Sequence, residues 1–447
     1  MAMPSRGAVK AATKEALGES VVADVTDLSH DGRGVAQVEG RAVFVPGALP
    51  AERVRIRTRK RRRRYHEADL VEIIEPSADR VEPPCPYFGI CGGCALQHLD
   101  YRAQILFKQE VVAEALRRIG GFEPPAFEAA IIGSQWHYRR RARLGIKYVA
   151  GKGRVLVGFR ERAAPLLTDM QACRILAPPM DRLPEVLAEL VAATSIKARI
   201  PQAEIAVGDE AAAVVLRVLD RPAGSDVDVL ASLNERLDVD VYLQTGGPDT
   251  IAPIGRPPRE LQYSLEPDGT RIAFEPGDFI QIHAEVNRAM VAAAIDAAGL
   301  AASDNVLDLY CGLGNFSLPI AKRVAGVTGV DGAAPLIARA GANARRNGIG
   351  NASFLAADLS EPGWPFLKRP YDVVFLDPAR AGAEIPVAAV PDMQPRRIVY
   401  VSCHPGTLAR DAGELVHRHG YRLISVQALD MFPNTHHVEA IAVFDRE

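Results

Sequence analysis

From Ile272 to Glu447 the sequence switches repeatedly between two hydrophobic periods, and this switching constrains the fold more than any other feature. Short apolar runs (NVLDLYC, GVTGVDG, ASFLAADL, YDVVFLDPAR, RRIVYVSC) are separated by helix-like segments (SLPIAKRV, PLIARAGANARRNG, TLARDAGELVHRHG). An apolar run without polar alternation reads as a strand covered on both faces. Strands and helices in strict succession predict a mostly parallel sheet flanked by helices, because each parallel neighbour needs a crossover. A helix over 284–299 is expected to open the region. The closing runs, YRLISVQALDMF and HHVEAIAVF, predict a hairpin at one edge of the sheet.

In such a sheet ligands gather at the carboxyl ends of the strands. The first of these ends is DLYCGLGNFSLPIA, residues 308–321. Gly312 and Gly314 permit a tight turn and a close backbone approach to a ligand. The third glycine of a dinucleotide fingerprint is absent, since Ser317 stands there. Asp308 and Asn315 suit a cationic, phosphate-free cofactor. Asp331 ends the next strand, where a carboxylate can accept hydrogen bonds from ribose hydroxyls; Asp358 and Asp377 follow in chain order. S-adenosylmethionine fits this pattern.

VSCHPGTLARD, residues 401–411, sets Cys403 at a later strand end, beside Pro405. A thiol there can be core filler, a metal ligand or a nucleophile. Methyl transfer to oxygen or nitrogen needs no nucleophile, because the acceptor brings its own lone pair. Carbon 5 of uracil is too electron-poor to attack a sulfonium unaided. A thiolate added at carbon 6 turns carbon 5 into an enolate carbon, and a base must later remove its proton. Glu439 interrupts the apolar run THHVEAIAVF and is the candidate base, since a carboxylate among apolar neighbours is costly unless used or paired. The plainer alternatives are core packing for Cys403 and a solvent-facing edge position for Glu439.

Upstream, residues 1–18 read as a disordered leader. Residues 19–76 hold five short strand-like runs separated by Gly, Pro or charged turns, which suits a small OB-like barrel. Within it, RVRIRTRKRRRRYHE (residues 53–67) is strongly basic although the whole chain carries a net charge of only −2. A basic ribbon on a barrel tracks a phosphate backbone well, and RNA is the expected partner. Residues 77–271 form a mixed α+β region. It contains an amphipathic helix (YRAQILFKQEVVAEALRRIG), a hairpin (RRRARLGIKYVAGKGRVLVGFRER) and a further helix (PEVLAELVAATSI). Near its start CPYFGICGGC places Cys85, Cys91 and Cys94 close together, and Cys173 lies in DMQACRIL. Three close thiols and one distant thiol make a four-thiolate site whose spacing allows zinc or an iron–sulfur cluster. No apolar run reaches the ~18 residues of a membrane span, and no secretory leader is evident. A cytoplasmic protein, with no membrane partner and monomeric, is expected.

The stretch LSHDGRGVAQVEGRAVFVPGALP resembles the TRAM domain of RNA-modifying enzymes. The motifs FEPGDFIQIHAEVN, DLYCGLGNFSLPIA, FLDPARAG, IVYVSCHPGTLARD and LDMFPNTHHVEAIAVF resemble the RNA uracil-5-methyltransferases, and nearest among them the iron–sulfur enzymes acting on 23S rRNA. The resemblance implies a Rossmann-like class I methyltransferase domain over 272–447, a TRAM barrel over 19–76 and a cluster-bearing domain over 77–271. It implies Cys403 as nucleophile and Glu439 as base. It implies Gln281, Tyr310, Asn315, Asp331, Asp358 and Asp377 as cofactor-binding residues, with Phe279 and Arg380 lining the uracil pocket. His404 and His437 receive no catalytic role. It implies a 4Fe–4S cluster on Cys85, Cys91, Cys94 and Cys173, and rRNA as substrate. A tRNA-specific enzyme of the same mechanism, a cytosine-5-methyltransferase and a non-catalytic RNA-binding cluster protein are the alternatives.

Overall fold

The computed structural model describes residues 20–265 and 269–447, so the leader expected over 1–18 lies outside the described residues. The chain divides into two compact units, Met1–Glu82 with His98–Asp100, and Pro83–Gln97 with Tyr101–Glu447.

In the first unit β1 (Ser20–Leu28), β2 (Arg33–Val38), β3 (Arg41–Pro46), β4 (Arg53–Arg61) and β5 (Tyr65–Glu75) close into a barrel in the order β1-β2-β3-β5-β4. Closure removes the unpaired edges that a five-stranded sheet would otherwise expose. The barrel core is small: Val25, Ala36, Val43, Val45, Val54 and Ile56 fill it. On β4 the period of two is plain, with Val54 and Ile56 inside and the arginines between them turned outward.

The second unit begins with α1 (Tyr101–Ala115). A six-stranded sheet follows, in the order β11-β10-β9-β8-β6-β7. Its strands are β6 (Arg141–Val149), β7 (Arg154–Gly158), β8 (Gln202–Val207), β9 (Ala212–Arg217), β10 (Asp240–Gln244) and β11 (Ile251–Ile254). Helices α2 (Leu183–Ala193), α3 (Gly224–Ala231) and α4 (Leu233–Leu237) lie between these strands in the chain. A separate hairpin joins β12 (Leu261–Leu265) to β13 (Thr270–Phe274), spanning residue 271.

The rest of the unit is the alternating α/β element. Its chain order is α5 (Ala284–Ala298), β14 (Asn305–Leu309), α6 (Ser317–Ala321), β15 (Gly326–Asp331), α7 (Ala334–Arg346), β16 (Ala352–Ala356), β17 (Val373–Leu376), α8 (Glu384–Ala388), α9 (Val390–Met393), β18 (Arg397–Ser402), α10 (Pro405–His419), β19 (Tyr421–Leu429) and β20 (Glu439–Arg446). The seven strands are ordered β16-β15-β14-β17-β18-β20-β19. All neighbours up to β18 are parallel, whereas β20 is antiparallel to both β18 and β19. The strand order reverses between β14 and β17, which is where a doubly wound sheet opens its crevice.

Candidate active site

Strand register alone assembles the site. Leu309 of β14 pairs with Val330 of β15 and with Leu376 of β17, and Leu376 pairs with Tyr400 of β18. The strand ends carrying Tyr310, Asp331 and Asp377 therefore stand level. Across the antiparallel pair, Ser402 of β18 faces Ala440 of β20. One step further along both strands brings Cys403 opposite Glu439. A cavity of about 870 Å³ opens over these ends, lined by Gln281, Tyr310, Asp331, Asp358, Asp377, Cys403 and Glu439, with Phe279 and Arg380.

The glycine turn that roofs the cavity is held in left-handed backbone: Tyr310 has φ 67°, Gly312 53° and Gly314 93°. For Tyr310 this conformation costs on the order of 1 kcal/mol, and such cost collects at binding sites. Asp331 braces the turn, its carboxylate accepting from the Gly312 N–H at 3.1 Å and the Ala333 N–H at 2.8 Å. Asp358 is exposed at the rim, accepting from the Ser360 N–H at 2.9 Å and its hydroxyl at 2.6 Å. These bonds hold its carboxyl below the usual range. Asn315 does not line the cavity. Its Oδ1 accepts from the Tyr263 hydroxyl at 3.0 Å and from Asn287 at 3.1 Å, and its Nδ2 donates to Asn287 Oδ1 at 2.9 Å. Its amide is spent on bracing the turn from behind.

Charge in the cavity is one-sided. Asp331, Asp358, Asp377, Glu384 and Glu439 face a single guanidinium, that of Arg380. Burial pushes the Glu439 carboxyl up to about 8, with the Asp377 charge adding to it and Lys108 opposing. Glu439 Oε2 is buried with no hydrogen-bond partner. Asp377 rises to about 7 by desolvation and the charge of Asp308 beneath it. Asp308, fully buried under the turn and hydrogen-bonded to the Ser317 hydroxyl, rises to about 7 for the same leading reason. The Cys403 thiol is pushed up to about 11, by burial first and then by Glu439 and Asp377, while Arg380 draws it down. A cation entering this cavity would relieve all of these strains together. At the rim Phe279 is 68% exposed, a large aromatic face left open to solvent.

The model of the tRNA (uracil-5-)-methyltransferase family matches residues 262–361 and 367–447, and that of the TRAM domain matches 14–71. The chain is 48% identical over 95% of its length, and 96% of the relative's, to the 23S rRNA (uracil(1939)-C(5))-methyltransferase RlmD of Alkalilimnicola ehrlichii. It is 46% identical to the protein of the same description from Methylococcus capsulatus, over 96% of this chain and 97% of that one. The chain belongs to the RNA (uracil-5-)-methyltransferase family. The Pyrococcus abyssi tRNA (uracil-54, C5)-methyltransferase, solved with S-adenosyl-L-homocysteine, superposes with a TM-score of 0.71. That match is at 25% identity and covers 95% of this chain and all of that one.

Two further features of this methyltransferase bear on the site. Cys85, Cys91, Cys94 and Cys173 all line one small cavity walled by Tyr87, Phe88, Trp136, Phe159 and Met170. None of the four is in a disulfide. Burial raises the Cys91 thiol, and it pushes Cys94 to about 12 and Cys173 to about 11. Among the described residues no three His, Cys, Asp or Glu side chains converge tightly enough to hold a single metal ion.

The second feature is polar and invisible in local sequence. The buried face of α1 carries Gln104 and Lys108 as well as Val112 and Ala113. Lys108 and Asp430, each 1% exposed, form an ion pair at 2.5 Å, and the ammonium also donates to the Phe432 carbonyl at 3.0 Å. Gln104 accepts from the Asn434 N–H at 3.1 Å. Helix α1 therefore grips the 430–434 loop that delivers Glu439. A lysine within an apolar helical face was the only available cue, and its partner lies 322 residues away in the chain.

Proposed function

We propose that this enzyme methylates carbon 5 of a uridine in 23S rRNA, using S-adenosylmethionine and a transient covalent bond from Cys403. The observation that carries this reading is that Cys403, one residue past β18, and Glu439, the first residue of β20, line one cavity with four other carboxylates, their neighbours Ser402 and Ala440 being paired across the two strands. Bound there, S-adenosylmethionine supplies an electrophilic methyl group on a positively charged sulfur. Asp331, Asp358, Gln281 and the backbone of the glycine turn hold it, and Asp377 stands against its charge. The excess of carboxylates in the cavity favours a cation without phosphates. Phe279 stacks on a target base turned out of its loop. Cys403 adds to carbon 6. After carbon 5 has acquired the methyl group, Glu439 takes the proton from carbon 5 and the thiolate leaves.

The thiol acts from a high starting value, so it gives up its proton only as the pyrimidine ring and a neighbouring positive charge accept the electron density. Glu439, titrating near 8, is poised to take up a proton near neutrality and return it to solvent.

We propose further that Cys85, Cys91, Cys94 and Cys173 hold a 4Fe–4S cluster, as the family resemblance implies. Desolvated thiols are stable as thiolates only against a compensating cationic centre. The four thiols line one largely apolar cavity, as ligands of a single shared group would. Cys85, Cys91, Cys94 and Cys173 would hold it, tying residue 173 to the 85–94 loop. The three modules proposed are a TRAM barrel over 19–76, a cluster-bearing region over 77–271 and a methyl-transfer region over 272–447.

A substrate in rRNA is favoured over tRNA by the 46–48% identity to rRNA enzymes against 25% to the tRNA enzyme. The test uses unmodified 23S rRNA and tRNA transcripts, each with 5-fluorouridine replacing uridine. A denaturation-resistant adduct is expected with the 23S transcript, only when S-adenosylmethionine is present and only when Cys403 is intact. An adduct with tRNA alone would reassign the substrate, and no adduct with either would remove the mechanism.

A further inference from the structure

We infer that Lys108 is a positioning residue for the proton transfer at Glu439, its buried ammonium supplying a fixed positive charge that keeps the base ionised without touching the substrate. The inference rests on the reading above, in which Glu439 removes the proton from carbon 5.

Strand register brings the two together. Leu429, the last residue of β19, pairs with Glu439, the first residue of β20. Asp430 follows directly, so it stands one residue beyond the strand partner of the base. Lys108 reaches this point from the buried face of α1. Its Nζ donates to the Asp430 carboxylate at 2.5 Å and to the Phe432 carbonyl at 3.0 Å. Two acceptors at this range suit an ammonium, which has three donors to place. The loop around the pair is tied down as well. The Tyr138 hydroxyl donates to the Pro433 carbonyl at 3.1 Å, and the Asn434 carbonyl accepts from the Ala95 and Leu96 N–H groups at 2.9 and 3.0 Å. The ammonium is therefore held in place at the end of the strand pair that carries the base.

Lys108, Asp430 and Glu439 are 1%, 1% and 4% exposed. A buried ion pair is often no more stabilising than apolar residues of the same volume, so packing alone does not call for this one. Its charge has a use nearby. Glu439 must be a carboxylate before it can act, in a site where burial disfavours that form. Asp377, beyond β17, raises its proton affinity further, and Lys108 lowers it. Cys403, beyond β18, feels Glu439 in return and is drawn down by Arg380. Asp331, Asp358 and Glu384 line the same cavity. His437, two residues from the base, is pushed down to about 4 by burial and by the cations around it, Lys108 among them, so it brings no charge near neutrality. Two cations thus oppose the carboxylates. Arg380 lines the cavity that substrate and solvent enter, whereas Lys108 is not among the lining residues. Burial shields its field from screening, and the Asp430 bond keeps its distance from the base constant.

The test compares Lys108→Gln and Lys108→Arg in the full-length protein. Glutamine keeps a hydrogen-bond donor for Asp430 and Phe432 but removes the charge, whereas arginine keeps the charge on a different head group. The readout is the decay of the covalent RNA–protein species formed on an unmodified 23S rRNA transcript in a single turnover, followed from about pH 6 to about pH 9.5. In the parent the decay rate should rise with pH to a plateau, through a midpoint near 8. Lys108→Gln is expected to move that midpoint up by about one unit, which slows decay about tenfold at pH 7 and leaves the plateau within about threefold. Lys108→Arg should return the midpoint to within about half a unit of the parent. Methyl transfer in the first turnover should change by less than about threefold in both, since Glu439, Asp377 and Arg380 are the charges that shift Cys403.

A lowered plateau with an unmoved midpoint would overturn the proposal, because Lys108 would then only hold the loop. Equal losses of methyl transfer and adduct decay would overturn it too, as would an arginine variant that behaves like the glutamine one. Failure of both variants to fold would show that the lysine serves the core and would also overturn it. If the parent forms no covalent species, or if Glu439→Gln keeps the parent's pH-dependent decay, the functional reading itself has failed. If both behave as that reading requires but Lys108→Gln keeps the parent's midpoint, only the role of Lys108 has.

Discussion

The two cavities of the second unit both bury cysteine thiols and both push them far above their ordinary range, yet they are built for opposite ends. Around Cys403 five carboxylates stand among apolar walls, and the space is large, about 870 Å³. Around Cys85, Cys91, Cys94 and Cys173 the walls are aromatic and aliphatic, and the space is small. Desolvation is the first cause of the raised values in both. What differs is how the thiolate form is reached. On the proposed mechanism, in the open cavity it would exist for the moment of bond formation, helped by a positive charge that comes and goes. In the closed cavity a resident cationic group would hold it permanently. Burial therefore fixes the cost of a thiolate, and the neighbours decide whether the protein meets that cost once per turnover or once per lifetime.

Removing the sulfur in the open cavity should be the largest single effect. Cys403→Ala is expected to lower turnover by at least about three orders of magnitude, since no other group can replace a covalent nucleophile. Homocysteine affinity and the thermal midpoint should stay near the wild-type values, because Cys403 is only partly buried at the cavity floor. Turnover by this variant close to that of the parent would end the comparison.

Glu439→Gln comes next. Loss of a general base costs typically about 10² to 10⁴ in rate. The first methyl transfer should still occur, so a covalent RNA–protein species should accumulate and be visible on a denaturing gel. Rapid multiple turnover would show that another group takes the proton. The parent enzyme should show the matching pH profile. The base must be ionised to act, and its value is raised to about 8, so adduct resolution should speed up as pH climbs through roughly 7 to 8. Stability runs the other way. A carboxyl raised in the fold binds more protons folded than unfolded, so its contribution is full below its ordinary range and lost as pH rises toward 8. Glu439→Gln should flatten that decline, measurable as a smaller fall in urea midpoint between pH 5 and pH 8.

In the closed cavity the order of effects inverts. Cys173→Ser should leave the groups of the methyl-transfer cavity untouched but lose bound iron and lower the thermal midpoint by several degrees, as expected when binding free energy is also folding free energy. Iron content by elemental analysis and a melting curve check it. Full iron with an unchanged melting point would mean that the four thiols do not act together.

Much of this was legible in sequence, and the reasons are specific. The apolar runs NVLDL and RIVYVS are buried along nearly their whole length, so their periodicity announces parallel strands directly. Cys403 and Glu439 could be paired by chemical need before their facing positions were known. Their closeness is a matter of register between β18 and β20, and local sequence carries no register. Asn315 was expected to bind the cofactor from its place in the glycine turn and from the resemblance; the bonds its amide makes to Asn287 and Tyr263 come from distant segments and are not legible in the turn itself. Lys108 and Asp430 escaped notice because a buried charge is recognised by its partner, and the two lie 322 residues apart in the chain. The basic tract of β4 was conspicuous, but part of its charge is matched by carboxylates that local sequence does not reveal. Arg55 is paired with Glu72 at 2.9 Å and Arg59 with Glu67 at 3.4 Å, because β5 runs antiparallel beside β4 with its own carboxylates.

That pairing yields the smallest and most discriminating effect. Among the described residues, the ion pairs on this ribbon engage Arg53, Arg55, Arg59 and Arg62, which leaves Arg57, Lys60, Arg61, Arg63 and Arg64 as cations without a carboxylate partner. A cation already matched by a carboxylate gives little counterion release when a phosphate approaches, whereas an unmatched one gives its full share. Arg61→Ala should therefore weaken RNA binding by a few-fold at moderate salt and reduce the slope of log affinity against log salt by about 0.7 to 0.9. Arg55→Ala should change the slope by much less, since it also frees the repulsive Glu72 carboxylate. Equal slopes for the two variants would mean that the ribbon is read as a bulk charge, with its ion pairs broken on binding. Unequal slopes would mean that β5 has already selected which arginines of β4 are offered to RNA.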